Sequence, residues 1–274
     1  MSVSFRWLGI AGIEITASSD VLLIDPYLTR ISLWKTFFGR IQPDLTAVQV
    51  IKKCNYIMVT HSHFDHLLDV PSIFQKTGAK VFGSPNTQCL LASLGVAPSL
   101  IQTVKPGDSL SLGEFNIRVF PFEHARVPGY NSGALPHILK PPLRARDYRM
   151  DFGCCYHISA GGVTFLTDPG FNPSVNVQAD VLFTQPYHDI SYYEKLPGLI
   201  RPKAVIPIHW DNIFRRNDPM PYFVPPALKW PPLQRIDLQV FAETIHKIAP
   251  DIEALIPQAF KSYEVSDLIK DTCT

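Results

Sequence analysis

Residues 55–66 read Asn55-Tyr56-Ile57-Met58-Val59-Thr60-His61-Ser62-His63-Phe64-Asp65-His66. The first half is almost wholly apolar, as a strand buried on both faces is. The second half sets three imidazoles and a carboxylate within six residues. Such a group is costly to bury together unless a cation neutralises and orders it. A spacing of two lets His61 and His63 point the same way as the strand runs out. Asp65 and His66, on the turn that follows, can face a second ion. The competing reading is a polar loop with incidental histidines.

Outward from this stretch the chain alternates short apolar runs with turn residues. Residues 5–10, 12–17 and 21–25 predict a strand meander. Residues 70–76 predict a helix, 80–82 a strand, and 86–94 a helix capped by Asn86. Strands are expected at Ser109–Leu112, Phe115–Phe122, 152–159 and 163–167, the last two joined by the Gly161-Gly162 turn. Val181–Thr184, a helix over 192–200 and a strand over 204–208 follow. Leu238, Phe241, Ile245 and Ile248 then recur at helical spacing. Two strand-rich halves, each followed by helices, predict two sheets packed together with helices outside. With no repeat, low-complexity tract or linker in view, one domain is expected.

His61-Ser62-His63-Phe64-Asp65-His66 resembles the HxHxDH signature of the metallo-β-lactamase superfamily. The resemblance implies an α/β four-layer αβ/βα sandwich and further ligands later in the chain. A histidine ends Phe120-Pro121-Phe122-Glu123-His124. An aspartate follows a strand in Phe165-Leu166-Thr167-Asp168-Pro169-Gly170. A last histidine follows a strand in Val205-Ile206-Pro207-Ile208-His209-Trp210. Each sits at the end of an apolar run, where loops at one sheet edge converge. The opening, Trp7-Leu8-Gly9-Ile10-Ala11-Gly12 and Leu23-Ile24-Asp25-Pro26-Tyr27, is similar to the branch that holds L-ascorbate-6-phosphate lactonase, with the N-acyl-phosphatidylethanolamine phospholipase D group nearby. The similarity runs over about residues 4–211.

What the resemblance implies is a binuclear hydrolase. His61, His63 and His124 would form a three-imidazole site with an open fourth position, which suits catalytic zinc. Asp65, His66 and His209 would hold the second ion, and Asp168 would bridge the two. Zinc is the expected metal, and manganese or iron also accept such ligands. A water shared by two such cations ionises near neutral pH and attacks, while the metals polarise the scissile group. Asp65 is expected to orient that water and carry its proton, with His209 the other catalytic residue. Flavodiiron relatives carry a carboxylate where His63 stands, which argues against oxidative chemistry. Asp25 matches the family position that orients a ligand histidine; the bland reading is a capping Asp before Pro26, and Asp69 is more ambiguous.

The chain has 274 residues, 46% of them apolar, and a formal net charge of +1. No global imbalance points to nucleic acid, and no apolar run approaches the ~18 residues of a membrane span. The start lacks a basic segment followed by an apolar one, so no signal peptide is expected. Five cysteines, odd in number and without a CxxC pattern, suit a reducing compartment. A cytoplasmic protein is expected. The 25 prolines are about twice the usual ~5% share and predict long, rigid loops.

Other residues have weaker claims. His188 follows a strand that should end at the metal edge, as a substrate or proton-transfer contact or as a satisfied loop histidine. His157 and His246 read as structural. An insertion over 125–151 begins beside ligand His124 and carries Arg126, Lys140, Arg144, Arg146 and Arg149. Arg144, Arg146 and His137 are its candidate substrate contacts, since arginine forks match phosphate geometry. A subunit contact is the alternative, and a homo-oligomer is expected. Residues 28–41 combine Ile31, Leu33, Trp34, Phe37 and Phe38 with Arg30, Lys35 and Arg40 and no acid. This stretch fits a membrane surface, a core-packed helix, a dimer contact or a pocket wall. Six prolines lie in 219–232, within a C-terminal extension from about residue 212.

The expected substrate is a small phosphorylated or phosphodiester compound, with a lactone or a membrane phospholipid as alternatives. A non-catalytic metal-binding scaffold is the reading from another class, against which the intact ligand set argues.

Overall fold

The computed structural model describes residues 2–124, 132–168, 175–219, 221–223 and 233–269, with 221–223 and 233–234 as backbone only. The start of the expected insertion, 125–131 with Arg126, and most of the proline-rich 219–232 stretch lie outside the described residues.

The first half supplies β1 (Val3–Gly9), β2 (Gly12–Ala17), β3 (Asp20–Ile24), β4 (Tyr56–Met58), β5 (Lys80–Gly83) and β6 (Ile101–Thr103). Between them lie α1 (Leu33–Phe38), α2 (Phe64–Leu67), α3 (Val70–Thr77) and α4 (Pro85–Ser93). The second half supplies β7 (Ser109–Leu112), β8 (Phe115–Phe122), β9 (Gly153–Ala160), β10 (Val163–Leu166), β11 (Val181–Thr184) and β12 (Ala204–Pro207). Two small ladders follow, β13 (Asp211–Asn212) with β14 (Arg215–Pro219) and β15 (Pro221–Phe223) with β16 (Leu233–Arg235). The chain closes through β17 (Glu253–Ala254) and β18 (Ser262–Glu264). The later helices are α5 (Ile190–Leu199), α6 (Leu238–Ile248) and α7 (Val265–Leu268).

Two seven-stranded sheets form, in the orders β18-β1-β2-β3-β4-β5-β6 and β17-β12-β11-β10-β9-β8-β7. Pairing is antiparallel from β18 through β1 and β2 to β3 and from β7 through β8 and β9 to β10, and parallel from β3 to β6 and from β10 to β17. The all-apolar runs at β4, β11 and β12 are these parallel central strands, covered on both faces. The sheets meet face to face: Phe5 packs edge-on against Phe183 at 5.4 Å, and the Tyr156 hydroxyl donates to the Val59 carbonyl at 2.6 Å. Outside, Tyr193 and Leu196 of α5 and Phe241 and Ile245 of α6 cover Leu166, Leu182 and Val205. Val70 and Ile73 of α3 and Leu90 and Leu91 of α4 join the core on the other side. The arrangement is the expected αβ/βα sandwich.

One expectation is corrected. The helix predicted to start at Asn86 starts at Pro85, and its cap is Ser84, whose hydroxyl accepts the Thr87 amide at 3.3 Å. A serine before a proline at the first helical turn is a strong start signal. Asn86 is thereby free for another task. It is buried; its Nδ2 donates to the carbonyls of Gly133 (3.0 Å) and Arg149 (2.8 Å), and its Oδ1 accepts the Leu135 amide at 2.9 Å. One side chain thus fastens both ends of the described part of the insertion.

Candidate metal centre

Strands β3, β4, β10, β11 and β12 end at one edge, where binding sites of parallel sheets form. Residues 61–66 leave β4 there and enter α2, in which Asp65 and His66 are buried. His124 follows β8, and His209 follows β12. The ligand atoms of His61, His63 and His124 lie within 4.8 Å of one another, and so do those of Asp65, His66 and His209. Neither group belongs to one sheet: each takes its third histidine from the second. The groups adjoin, with the His61 and His66 rings 3.9 Å apart. Asp65 Oδ2 stands 3.5 Å from His209 Nε2 and 3.8 Å from His66 Nε2.

A hydrogen-bond chain behind these rings sets their tautomers. Asp25 accepts the Thr60 amide at Oδ1 (2.7 Å) and the Thr60 hydroxyl at Oδ2 (2.5 Å). With its proton committed to Asp25, the Thr60 oxygen accepts from His61 Nδ1 at 3.0 Å. His66 Nδ1 donates to Asp25 Oδ2 at 2.8 Å. Both rings therefore turn the lone pair of Nε2 toward the centre. His61 Nε2 is buried and meets no hydrogen-bond donor or acceptor. A buried lone pair amid imidazoles and a carboxylate fits a cation, and the donor set suits a divalent metal.

Electrostatics agree. Burial, followed by the nearby His66, His63 and His124 rings, holds His61 well below the usual histidine range. Burial alone would raise Asp65, but His66 and His209 outweigh it and hold the carboxyl below its ordinary range. Burial alone would lower His66; Asp25 and Asp65 outweigh it and raise it.

His209 rests on a support that sequence reasoning missed. Its φ is +57°, in the left-handed region, as are those of Asp25 (+46°) and Ile10 (+48°). Non-glycine residues pay for that conformation and hold it only where surrounding contacts fix it. The His209 amide donates to the Ile10 carbonyl at 2.6 Å, which also receives Trp7 Nε1 at 2.9 Å. The Ile10 amide donates to Asp211 Oδ1 at 2.7 Å, and Asp211 Oδ2 pairs with Arg30 Nη2 at 3.0 Å. Gly9 allows this: a Cβ there would lie 2.4 Å from Arg30 Nη2. Trp7 stacks on Trp210 at 4.8 Å, closing the same knot.

The remaining sites fall as follows. Asp168 is buried at the end of β10; its Oδ2 accepts the Gln185 amide at 2.8 Å and lies 2.9 Å from His188 Nε2. The His188 ring is sealed from solvent and lies 4.1 Å from that of Tyr192, so it braces Asp168. Asp69, left open by the sequence, accepts the Leu28 and Thr29 amides and the Thr29 hydroxyl. His157 Nε2 meets the Gln178 carbonyl at 2.9 Å, and His246 is exposed on α6. Of the insertion, His137 and Arg146 are exposed and Arg144 is half-buried. The Arg149 carbonyl accepts the hydroxyl of Ser62, between two ligands, at 2.5 Å, so the insertion lies against the ligand loop.

Residues 21–137 match the family described as the Beta-lactamase superfamily domain, a span that contains Asp25 and the candidate ligands from His61 to His124. A UPF0173 metal-dependent hydrolase of Polynucleobacter asymbioticus is 26% identical over 217 residues, 75% of this chain and 73% of that one. One from Pyrobaculum arsenaticum is 24% identical over 79% of this chain and 88% of its own. Among solved structures, Igni18, a metallo hydrolase from Ignicoccus hospitalis, superposes with a TM-score of 0.63 at 17% identity, over 96% of this chain and 98% of that one. In motif, fold and these relatives the chain is similar to the metal-dependent hydrolases of the metallo-β-lactamase superfamily.

Proposed function

We propose that this chain is a binuclear metal-dependent hydrolase that cleaves an ester-like bond in a small phosphorylated or phosphodiester substrate. The observation that carries the reading is the adjoining pair of triads, His61/His63/His124 and Asp65/His66/His209, each within 4.8 Å. Two divalent cations held there, zinc by preference of the three-imidazole set, would polarise the scissile group and make water acidic enough to attack. Asp168, at the same sheet edge, is the proposed bridging ligand.

The chain's own residues do the rest. Asp65 stays ionised beside His66 and His209, so it can orient the attacking water and accept its proton. Asp25 and Thr60 keep the His61 and His66 rings in the ligating tautomer. The insertion brings Lys140, Arg144, Arg146 and Arg149 to the flank of the ligand loop, which favours an anionic substrate.

The test is elemental analysis of the purified protein, then turnover of phosphodiesters, phosphorylated and neutral lactones, thioesters and phospholipids. About two metal equivalents and metal-dependent turnover, fastest on a phosphorylated or phosphodiester substrate, are expected. One equivalent, or fastest turnover of a neutral lactone, would overturn the corresponding part.

A further inference from the structure

Helix α1 stands out from the rest of the surface. None of its residues is buried: Leu33, Trp34, Phe37 and Phe38 are 55%, 71%, 62% and 64% exposed. Four large apolar side chains in six residues form a cluster, with the Trp34 and Phe38 rings 4.5 Å apart. The other exposed large apolar residues, such as Leu45, Leu100 and Val240, are scattered, which is ordinary. The helix is also firmly rooted. Buried Ile31 and Ile41 flank it, and the Ile41 amide donates to the Leu143 carbonyl at 2.9 Å. A fastened apolar projection of this kind marks a binding surface.

Charge identifies the occupant. Lys35 and Arg40 are exposed on the same segment, and no acid occurs from residue 28 to 43. Arg40 Nη1 donates to the Pro142 carbonyl at 2.8 Å, which brings the segment against 140–149 with its Lys140, Arg144, Arg146 and Arg149. Of the acids there, Asp147 is the one within 140–149, and its carboxylate accepts the Arg144 amide. Aromatic side chains ringed by cations match the boundary of an anionic bilayer: rings enter the acyl edge and cations meet headgroups.

A second copy fits less well. It would set these cations against their own equivalents. Four side chains of roughly 150–250 Å² each, at these exposures, offer ~400–600 Å², short of the ~800 Å² per partner of a stable interface.

We propose that α1 and the adjoining 140–149 segment dock the protein on an anionic lipid surface. This goes beyond the hydrolase reading and does not depend on it. The insertion that flanks α1 also touches the ligand loop through Ser62 and Arg149, so docking sets the metal edge near the lipid.

The experiment is co-sedimentation of the metal-loaded full chain with vesicles of phosphatidylcholine alone or mixed with phosphatidylglycerol. Binding to the mixed vesicles is expected, weakening as salt rises. Trp34→Glu with Phe37→Glu should reduce it about tenfold or more, and Lys35→Glu with Arg40→Glu several-fold. Because Trp34, Lys35, Phe37 and Arg40 are all exposed, both variants should keep the metal content and melting temperature of the parent. No pelleting with the mixed vesicles, or equal and salt-insensitive pelleting with both, overturns the proposal. So does a dimer in light scattering that Trp34→Glu converts to a monomer, which would give the surface to a second copy.

Discussion

Asp25 Oδ2 stands 2.8 Å from His66 Nδ1, and the carboxylate that orients this ring also accepts the amide and hydroxyl of Thr60. Asparagine tolerates the left-handed backbone of position 25 but loses the charge that raises His66. Asp25→Asn should therefore fold and bind metal about 10–100-fold more weakly. Chelator competition reads the affinity, and an unchanged value would remove Asp25 from the site.

Asp65 tests the mechanism itself. Asp65→Asn keeps an oxygen toward His66 and His209 but cannot accept a proton. On whichever substrate the screen identifies, kcat should fall by about 10²-fold or more, with most of the metal retained. Near-normal kcat at full metal occupancy would show that another group handles the proton.

The Arg30–Asp211 pair, with Asp211 fully buried, is expected to govern stability. Arg30→Met strands a buried carboxylate and should cost about 3–5 kcal/mol in denaturant unfolding. Gly9→Ala drives a methyl into the Arg30 guanidinium and should destabilise the same corner. If both variants unfold like the parent, the knot under His209 does not hold it.

A pH dependence follows from Asp180, whose carboxylate meets Thr164 and Lys203. Burial alone would raise its pKa, but hydrogen bonds from Thr164 and the Lys203 ammonium outweigh it and hold the carboxyl below its usual range. A depressed folded pKa stabilises above the unfolded value, about 3.9, and the gain is lost as pH falls through the folded one. Metal-stripped Asp180→Asn should be roughly 1–2 kcal/mol less stable than metal-stripped parent at neutral pH. The gap should close as pH approaches the folded value. A gap that stays constant with pH would assign the loss to packing.

Local pattern, with the resemblance it carries, made the candidate metal cluster legible. His61 to His66 lie in one turn, and His124 and His209 each end an apolar run. Asp25 was legible through the resemblance, which gives an aspartate at that position the role of orienting a ligand histidine. The Arg30–Asp211 pair was not, because it joins residues 181 positions apart and no periodicity marks a partner. Asn86 was mistaken for a cap although Ser84-Pro85 carried the better start signal. The composition of 28–41 was plain from the sequence, yet spacing alone cannot say whether Trp34 and Phe37 face a core or water; the backbone path between Ile31 and Ile41 decides that.

Each triad draws on both sheets, which makes a bound ion a rivet between the two halves of the sandwich. His66 and His209, of one triad, stand 143 positions apart by their numbers, so an ion held there would close a very long loop through the unfolded chain. Unfolding would then have to release it. An ion at about a hundred times its Kd adds about 2.7 kcal/mol to stability, and chelation withdraws that amount from the whole molecule at once. Protease digestion should accordingly quicken on chelation at sites throughout both sheets, well away from the metal edge.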